Sequence, residues 1–135
     1  MSETLVAAEA VNQLGFKGGD LVQEFGYDED IDFEVRDALE DLIDADLLEE
    51  DEHDVVDGVL LWWREDDGDL ADGLVDTLSD LDESGVVWLM TPKSGRAGHV
   101  SPADIAEAAP LAGLHVTKPA AVSKDWAATR LVMKK

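Results

Sequence analysis

Gly85-Val86-Val87-Trp88-Leu89-Met90-Thr91-Pro92-Lys93-Ser94-Gly95-Arg96-Ala97-Gly98-His99 sets what the rest of this chain must build. The apolar run from Val86 through Met90 mixes β-branched and aromatic side chains without alternation, which suits a strand covered on both faces. Pro92 has no backbone N–H to give to a ladder, so the strand stops there. The loop behind it gathers Lys93, Arg96 and His99 among small residues, the one place in an acidic chain where an anion would be welcomed.

Two neighbouring segments share the strand character. Val55-Val56-Asp57-Gly58-Val59-Leu60-Leu61-Trp62-Trp63 reads as a strand whose adjacent tryptophans face opposite sides of a sheet, so both faces are at least partly covered. Residues 21–27 read as another. Between them a helix is expected over residues 28–44. Asp28-Glu29-Asp30-Ile31-Asp32 places acids where the helix dipole favours them, and Phe33, Val35, Leu39, Leu42 and Ile43 make the apolar face. Leu47-Leu48 is at most a short strand, and Glu49-Glu50-Asp51-Glu52-His53-Asp54 is a charged loop. A helix over residues 69–81 carries Leu70, Leu74, Leu78 and Leu81 on one stripe.

Beyond the basic loop, Ser101-Pro102-Ala103-Asp104 is a helix start with a hydroxyl cap, proline at the first helical position and an acid at the third. That helix ends at Gly113. Residues 115–122 and 126–133 follow as an antiparallel hairpin turning at Ser123-Lys124-Asp125. At the other end, residues 4–14 space Leu5, Ala8, Val11 and Leu14 at helical intervals before Gly15.

This order predicts a three-layer α/β fold: a mostly parallel, Rossmann-like sheet with helices on both faces, ending in an antiparallel hairpin and carrying an added N-terminal helix. At 135 residues it is expected to form one domain, 1–135. Ligands in such folds sit beyond the carboxyl ends of the strands, where strand order reverses. Topology therefore nominates Tyr27, Asp28, Arg64, Thr91 and Lys93, with Arg96 and His99 in the loop that follows.

The charge is unevenly spread. Residues 1–84 hold 29 acids and 3 bases (−26), and residues 85–135 hold 3 acids and 7 bases (+4), within a net −22. Such a field repels nucleic acid and anionic membrane and attracts a protein with a basic surface. The absence of cysteine excludes disulfides, thiol catalysis and thiolate metal sites. Met1-Ser2-Glu3-Thr4 has no leader character and no apolar run nears the ~18 residues of a membrane span, so a cytoplasmic location is expected.

Familiar catalytic patterns are missing. Asp66-Asp67-Gly68-Asp69 lacks the spaced acids and closing glutamate of a calcium loop, and His53, His99 and His115 have no zinc spacing, so no metal is expected. Ser94 lacks the hydrolase elbow and a paired base. Trp62, Trp63 and Trp88 suit the core, while Trp126, opening the last strand, is a candidate for partial exposure toward a partner.

Leu14-Gly15-Phe16-Lys17-Gly18-Gly19, Asp54-Val55-Val56-Asp57 with Leu60-Leu61-Trp62-Trp63-Arg64, Gly85-Val86-Val87-Trp88-Leu89-Met90-Thr91-Pro92-Lys93 and Asp125-Trp126-Ala127-Ala128-Thr129-Arg130-Leu131-Val132 closely resemble an uncharacterised actinobacterial family, domain of unknown function 3052. The resemblance covers nearly the whole chain and brings no activity with it. More distantly, the final helix and hairpin are similar to the end of the class I S-adenosylmethionine methyltransferase fold. An adenosyl site needs glycines after the first strand and an acid ending the second. Phe25-Gly26-Tyr27-Asp28-Glu29-Asp30 supplies one glycine and then three acids, so no cofactor is expected.

The resulting expectation is a non-catalytic, methyltransferase-like domain that binds a protein with a basic surface or a small molecule at the strand ends. One alternative is an enzyme holding S-adenosylmethionine or another nucleoside through an atypical loop. Another is a small-anion binder using the loop of Lys93, Arg96 and His99.

Overall fold

In the computed structural model, which describes residues 9–134, the opening segment becomes the long strand at the middle of a five-stranded sheet. The strands are β1 (Val22–Phe25), β2 (Val56–Trp62), β3 (Leu81–Pro92), β4 (Leu114–Ala120) and β5 (Trp126–Met133). The helices are α1 (Phe33–Ile43), α2 (Leu70–Asp76) and α3 (Pro102–Leu111). Strand order is β1-β2-β3-β5-β4, with β1, β2 and β3 parallel and β5 antiparallel to both its neighbours.

The expected three-layer α/β architecture is present. One face of the sheet packs Trp62, Trp88 and Met90 against Val35, Leu39 and Ile43 of α1, and the other packs Val59, Val87 and Leu89 against α2 and α3. Trp62 and Trp63 divide between these layers, as alternation requires. Among the described residues, no helix is long and apolar enough to cross a membrane.

Leu48 decides the topology. It pairs with β1 on the edge away from β2, accepting from the Glu24 amide at 2.9 Å and donating to the Val22 carbonyl at 2.9 Å. The chain thus leaves β1, returns through α1 to its outer side, and crosses to β2 on its inner side. Strand order reverses there, so the crevice expected to hold a ligand lies between the carboxyl ends of β1 and β2.

Several boundaries depart from the sequence reading. The first helix begins at Phe33 rather than within 28–32, because the Asp32 side chain caps it through the Glu34 and Val35 amides at 3.1 and 3.2 Å. Phe33 is half-exposed, with its ring edge-on to Tyr27 instead of in the core. The helix expected over 69–81 closes at Asp76. Leu78 and Leu81 still pack on the same apolar layer, Leu78 from a turn and Leu81 from the early start of β3. Trp126 is buried, edge-on to Trp62 at 5.0 Å, and offers no exposed aromatic surface. The helix expected over 4–14 lies outside the described residues up to Ala8; beyond it, a helical step at Glu9 and Ala10 runs into a 3-10 turn, Val11–Leu14.

Candidate functional site

Where β1 ends, Gly26 takes a left-handed conformation (φ +78°), and a Cβ placed there would lie 2.0 Å from the Trp62 carbonyl oxygen. No other residue type fits. The glycine brings the tips of β1 and β2 into backbone contact at the point where a crevice would have to open.

Arg64, the second residue after β2, ties the two tips together. Its Nη1 donates to the Gly26 carbonyl at 2.8 Å and the Trp62 carbonyl at 3.2 Å, its Nε donates to Asp30 at 3.0 Å, and its Nη2 also bonds the Asp30 carboxylate. The guanidinium lies 5.2 Å from the centre of the Trp126 ring, a cation–π contact, and Gly98 passes against its Cβ. The side chain is only 11% exposed. Burial opposes its charge, but the Asp30 and Asp67 carboxylates together outweigh burial and hold the guanidinium's pKa above its usual value. In return, the hydrogen bond from Arg64 holds the Asp30 carboxyl below the ordinary carboxylate range.

A second ion pair sits behind the first. Glu24 is buried in β1, where it receives the Trp62 indole N–H at 3.0 Å and the Arg36 Nε at 2.9 and 3.1 Å. Arg36 crosses the Tyr27 ring at 5.4 Å and bonds Glu40 at 3.4 Å, while Glu40 takes the Leu47 amide at 2.9 Å. Gln23 fixes the charged loop by donating to the carbonyls of Glu49 and Glu52 at 3.1 and 2.9 Å. An open cleft of about 590 Å³ remains beside these groups, lined by Glu24, Tyr27, Arg36, Glu49, Glu50 and Asp51.

Three of the nominated residues are brought together: Tyr27, Asp28 and Arg64 line one cleft of about 290 Å³ at the ends of β1 and β2, with Gly26 and Trp62, while the others lie apart. Tyr27 is exposed and lines the acidic cleft, and Asp28 is exposed beside it, its carboxylate taking the Glu29 amide at 2.7 Å. Arg64 lines the smaller cleft and spans the tips of β1 and β2. Thr91 is buried in β3. Lys93 donates its backbone N–H to the Asp125 carbonyl at 3.0 Å, Arg96 pairs with the Asp125 carboxylate at 2.8 Å, and a His99 ring nitrogen bonds the Pro92 carbonyl at 2.9 Å. The basic loop is therefore drawn back against the hairpin turn. Sequence reasoning missed Glu24, Asp30 and Arg36. Their one signal was scarcity: with three bases in the first 84 residues, an arginine there stands out from an acidic surface and suits a buried carboxylate. Among the described residues, no group of three or more His, Asp or Glu side chains is placed to hold a metal ion.

Sheet order, hairpin and crevice position together define a methyltransferase-like α/β protein. Comparison with known proteins agrees. The CcbJ methyltransferase from Streptomyces caelestis superposes with a TM-score of 0.67 at 10% identity, over 96% of this chain and 90% of that one. The mitomycin 7-O-methyltransferase MmcR gives 0.62 at 13% identity over 97% of this chain, which spans about half (54%) of MmcR. Likeness at such identities establishes the fold alone.

The chain belongs to the family described as "Protein of unknown function (DUF3052)", which matches residues 11–135. Uncharacterised proteins of Mycobacterium tuberculosis and Mycobacterium bovis are each 48% identical over 136 residues, covering 98% of this chain and 85% of theirs.

The fold implies an adenosyl cofactor, and the residues at the crevice do not fit one. Such a site uses glycine after the first strand so that a ligand approaches the backbone. Here the space beside Gly26 is taken by the Trp62 carbonyl, Arg64 bonds the Gly26 carbonyl, and the cleft left at this point, about 290 Å³, is lined by the acids Asp28, Glu50, Asp67 and Asp76.

Proposed function

We propose that this protein is a non-catalytic binding domain on a methyltransferase-like frame, and that its partner is a protein with a basic surface. The observation carrying this reading is that Arg64 bridges the tips of β1 and β2 while the two clefts that Tyr27 lines are walled by acids, Glu49, Glu50 and Asp51 in one and Asp28, Glu50, Asp67 and Asp76 in the other. A lysine or arginine side chain entering the first of these meets Glu49, Glu50 and Asp51, and its methylene stem can lie along the exposed Tyr27 ring. The net charge of −22 steers such a partner inward.

Binding of a lysine-rich peptide to the full chain tests the reading. Tyr27→Ala and Glu50→Gln are each expected to weaken it about fivefold, while Glu107→Gln, the same charge change on the far helix α3, leaves it unaltered. Equal weakening by Glu50→Gln and Glu107→Gln would reduce the effect to bulk charge and overturn the proposal.

A further inference from the structure

The opposite end of the sheet carries a cleft of about 550 Å³, lined among others by Lys17, Lys118 and Arg130. We propose that it is a binding site for a small, multiply charged oxyanion, a phosphate ester or a polycarboxylate.

The argument begins with strand register. Leu114 and Val116 of β4 pair with Met133 and Leu131 of β5, and these four lie on the face covered by α3 or level with it. Alternation would send Lys118 to that same face. The register instead slips between Val116 and Lys118, leaving Thr117 as an extra residue and placing Lys118 directly opposite Arg130. A one-residue bulge thus turns Lys118 over onto the other face of the sheet, beside Arg130 and at the mouth of the cleft.

Two cations directly opposite on neighbouring strands repel. In a chain with 32 acids and 10 bases, opposite-charge pairing would be the easy outcome, and the other arginines have it: Arg36 with Glu24, Arg64 with Asp30, Arg96 with Asp125. Arg130 is aimed by a neutral group, donating to the Thr117 hydroxyl at 3.2 Å. Lys17 reaches the same cleft from the N-terminal turn with its side chain 82% exposed, bonded at 3.3 Å to Asp20. The two carboxylates that line the cleft are engaged by backbone amides, Asp20 by that of Lys17 at 3.1 Å and Asp57 by that of Leu21 at 2.9 Å. An edge strand is also guarded against stray pairing by lysine, proline and bulges, and β4 has all three. Edge protection accounts for Lys118 and Pro119. It gives no reason for matching the lysine to an arginine on the interior strand.

Amide chemical-shift titration of the full chain tests the site, with inorganic pyrophosphate and citrate as probes and sodium chloride at matched ionic strength as reference. Saturable shifts at Phe16, Lys17, Lys118 and Arg130 are expected, and the tighter probe assigns the ligand to phosphates or to polycarboxylates. Lys118→Gln and Arg130→Gln should each weaken binding about tenfold, the pair should abolish it, and Lys93→Gln at the other end should leave it unchanged. With no ligand present, Lys118→Gln should raise Tm by about 1–2 °C by removing the repulsion. Shifts that fail to saturate with either probe, or that survive in the double variant, would overturn the proposal, as would a fall in Tm for Lys118→Gln.

Discussion

Arg64 donates from Nη1 to the Gly26 carbonyl at 2.8 Å, so the first residue past β1 is held by a side chain from just past β2. The same nitrogen reaches the Trp62 carbonyl, and the rest of the fork holds Asp30. Replacing Arg64 with alanine leaves two carbonyls and a carboxylate without this donor. A loss of about 1.5–3 kcal/mol is expected, at the lower end because the Asp30 side chain is half in water. Arg64→Lys should recover less than half, since an ammonium cannot reproduce the planar fork. Chemical denaturation of the three proteins measures both.

Gly26→Ala probes the backbone beneath that fork. A methyl group 2.0 Å from the Trp62 oxygen at φ +78° forces β1 away from β2, and a cost of about 3 kcal/mol or more is expected. Gly15, also at positive φ but with open space around it, provides the comparison: Gly15→Ala should cost only the conformational strain, about 1–2 kcal/mol. Thermal melting of the two variants separates clash from strain.

The Asp30 carboxyl is held below its ordinary value of 3.8 by Arg64. A depressed folded-state value means the pair contributes its full stability above that ordinary value and loses it as pH falls through the folded one. The stability gap between the wild type and Asp30→Asn should therefore be flat from neutral pH to about pH 5 and close below 3.8. The wild type itself should gain stability as mild acid begins to neutralise the −22 charge. Urea midpoints across this range read both trends.

Ser101 caps α3 by accepting the Asp104 amide at 3.2 Å. Ser101→Ala should cost about 1 kcal/mol, and Ser101→Asp should restore most of it. Because α3 packs on β4 and β5, the loss should appear in global unfolding rather than in local fraying.

Much of this fold was legible because its strands are unmixed apolar runs and its helices carry their own caps. Val86 to Met90, the paired tryptophans at 62 and 63, and Ser101-Pro102 each state their structure locally. Leu48 was readable only as a doubtful strand, since one bridge leaves no periodicity, yet it fixes where strand order reverses. The bridging of that point was hidden for another reason. Gly26 signals room for something, and whether a ligand or the Trp62 carbonyl takes it depends on a contact between residues 36 positions apart. The pairing of Arg96 with Asp125 was likewise invisible, because no local pattern links a loop to a distant hairpin turn. The place of Lys118 was hidden by alternation itself: period two puts it with Val116, and only the bulge puts it with Arg130.

Calorimetric titration of the purified chain with S-adenosylmethionine tests the consequence of this bridging most directly. If the β1 and β2 tips are joined through Gly26 and Arg64 as described, the wild type gives no saturable heat. Saturable binding by the wild type, abolished on substituting Tyr27 or Asp28, would mean that the crevice opens to an adenosyl ligand and would contradict the account.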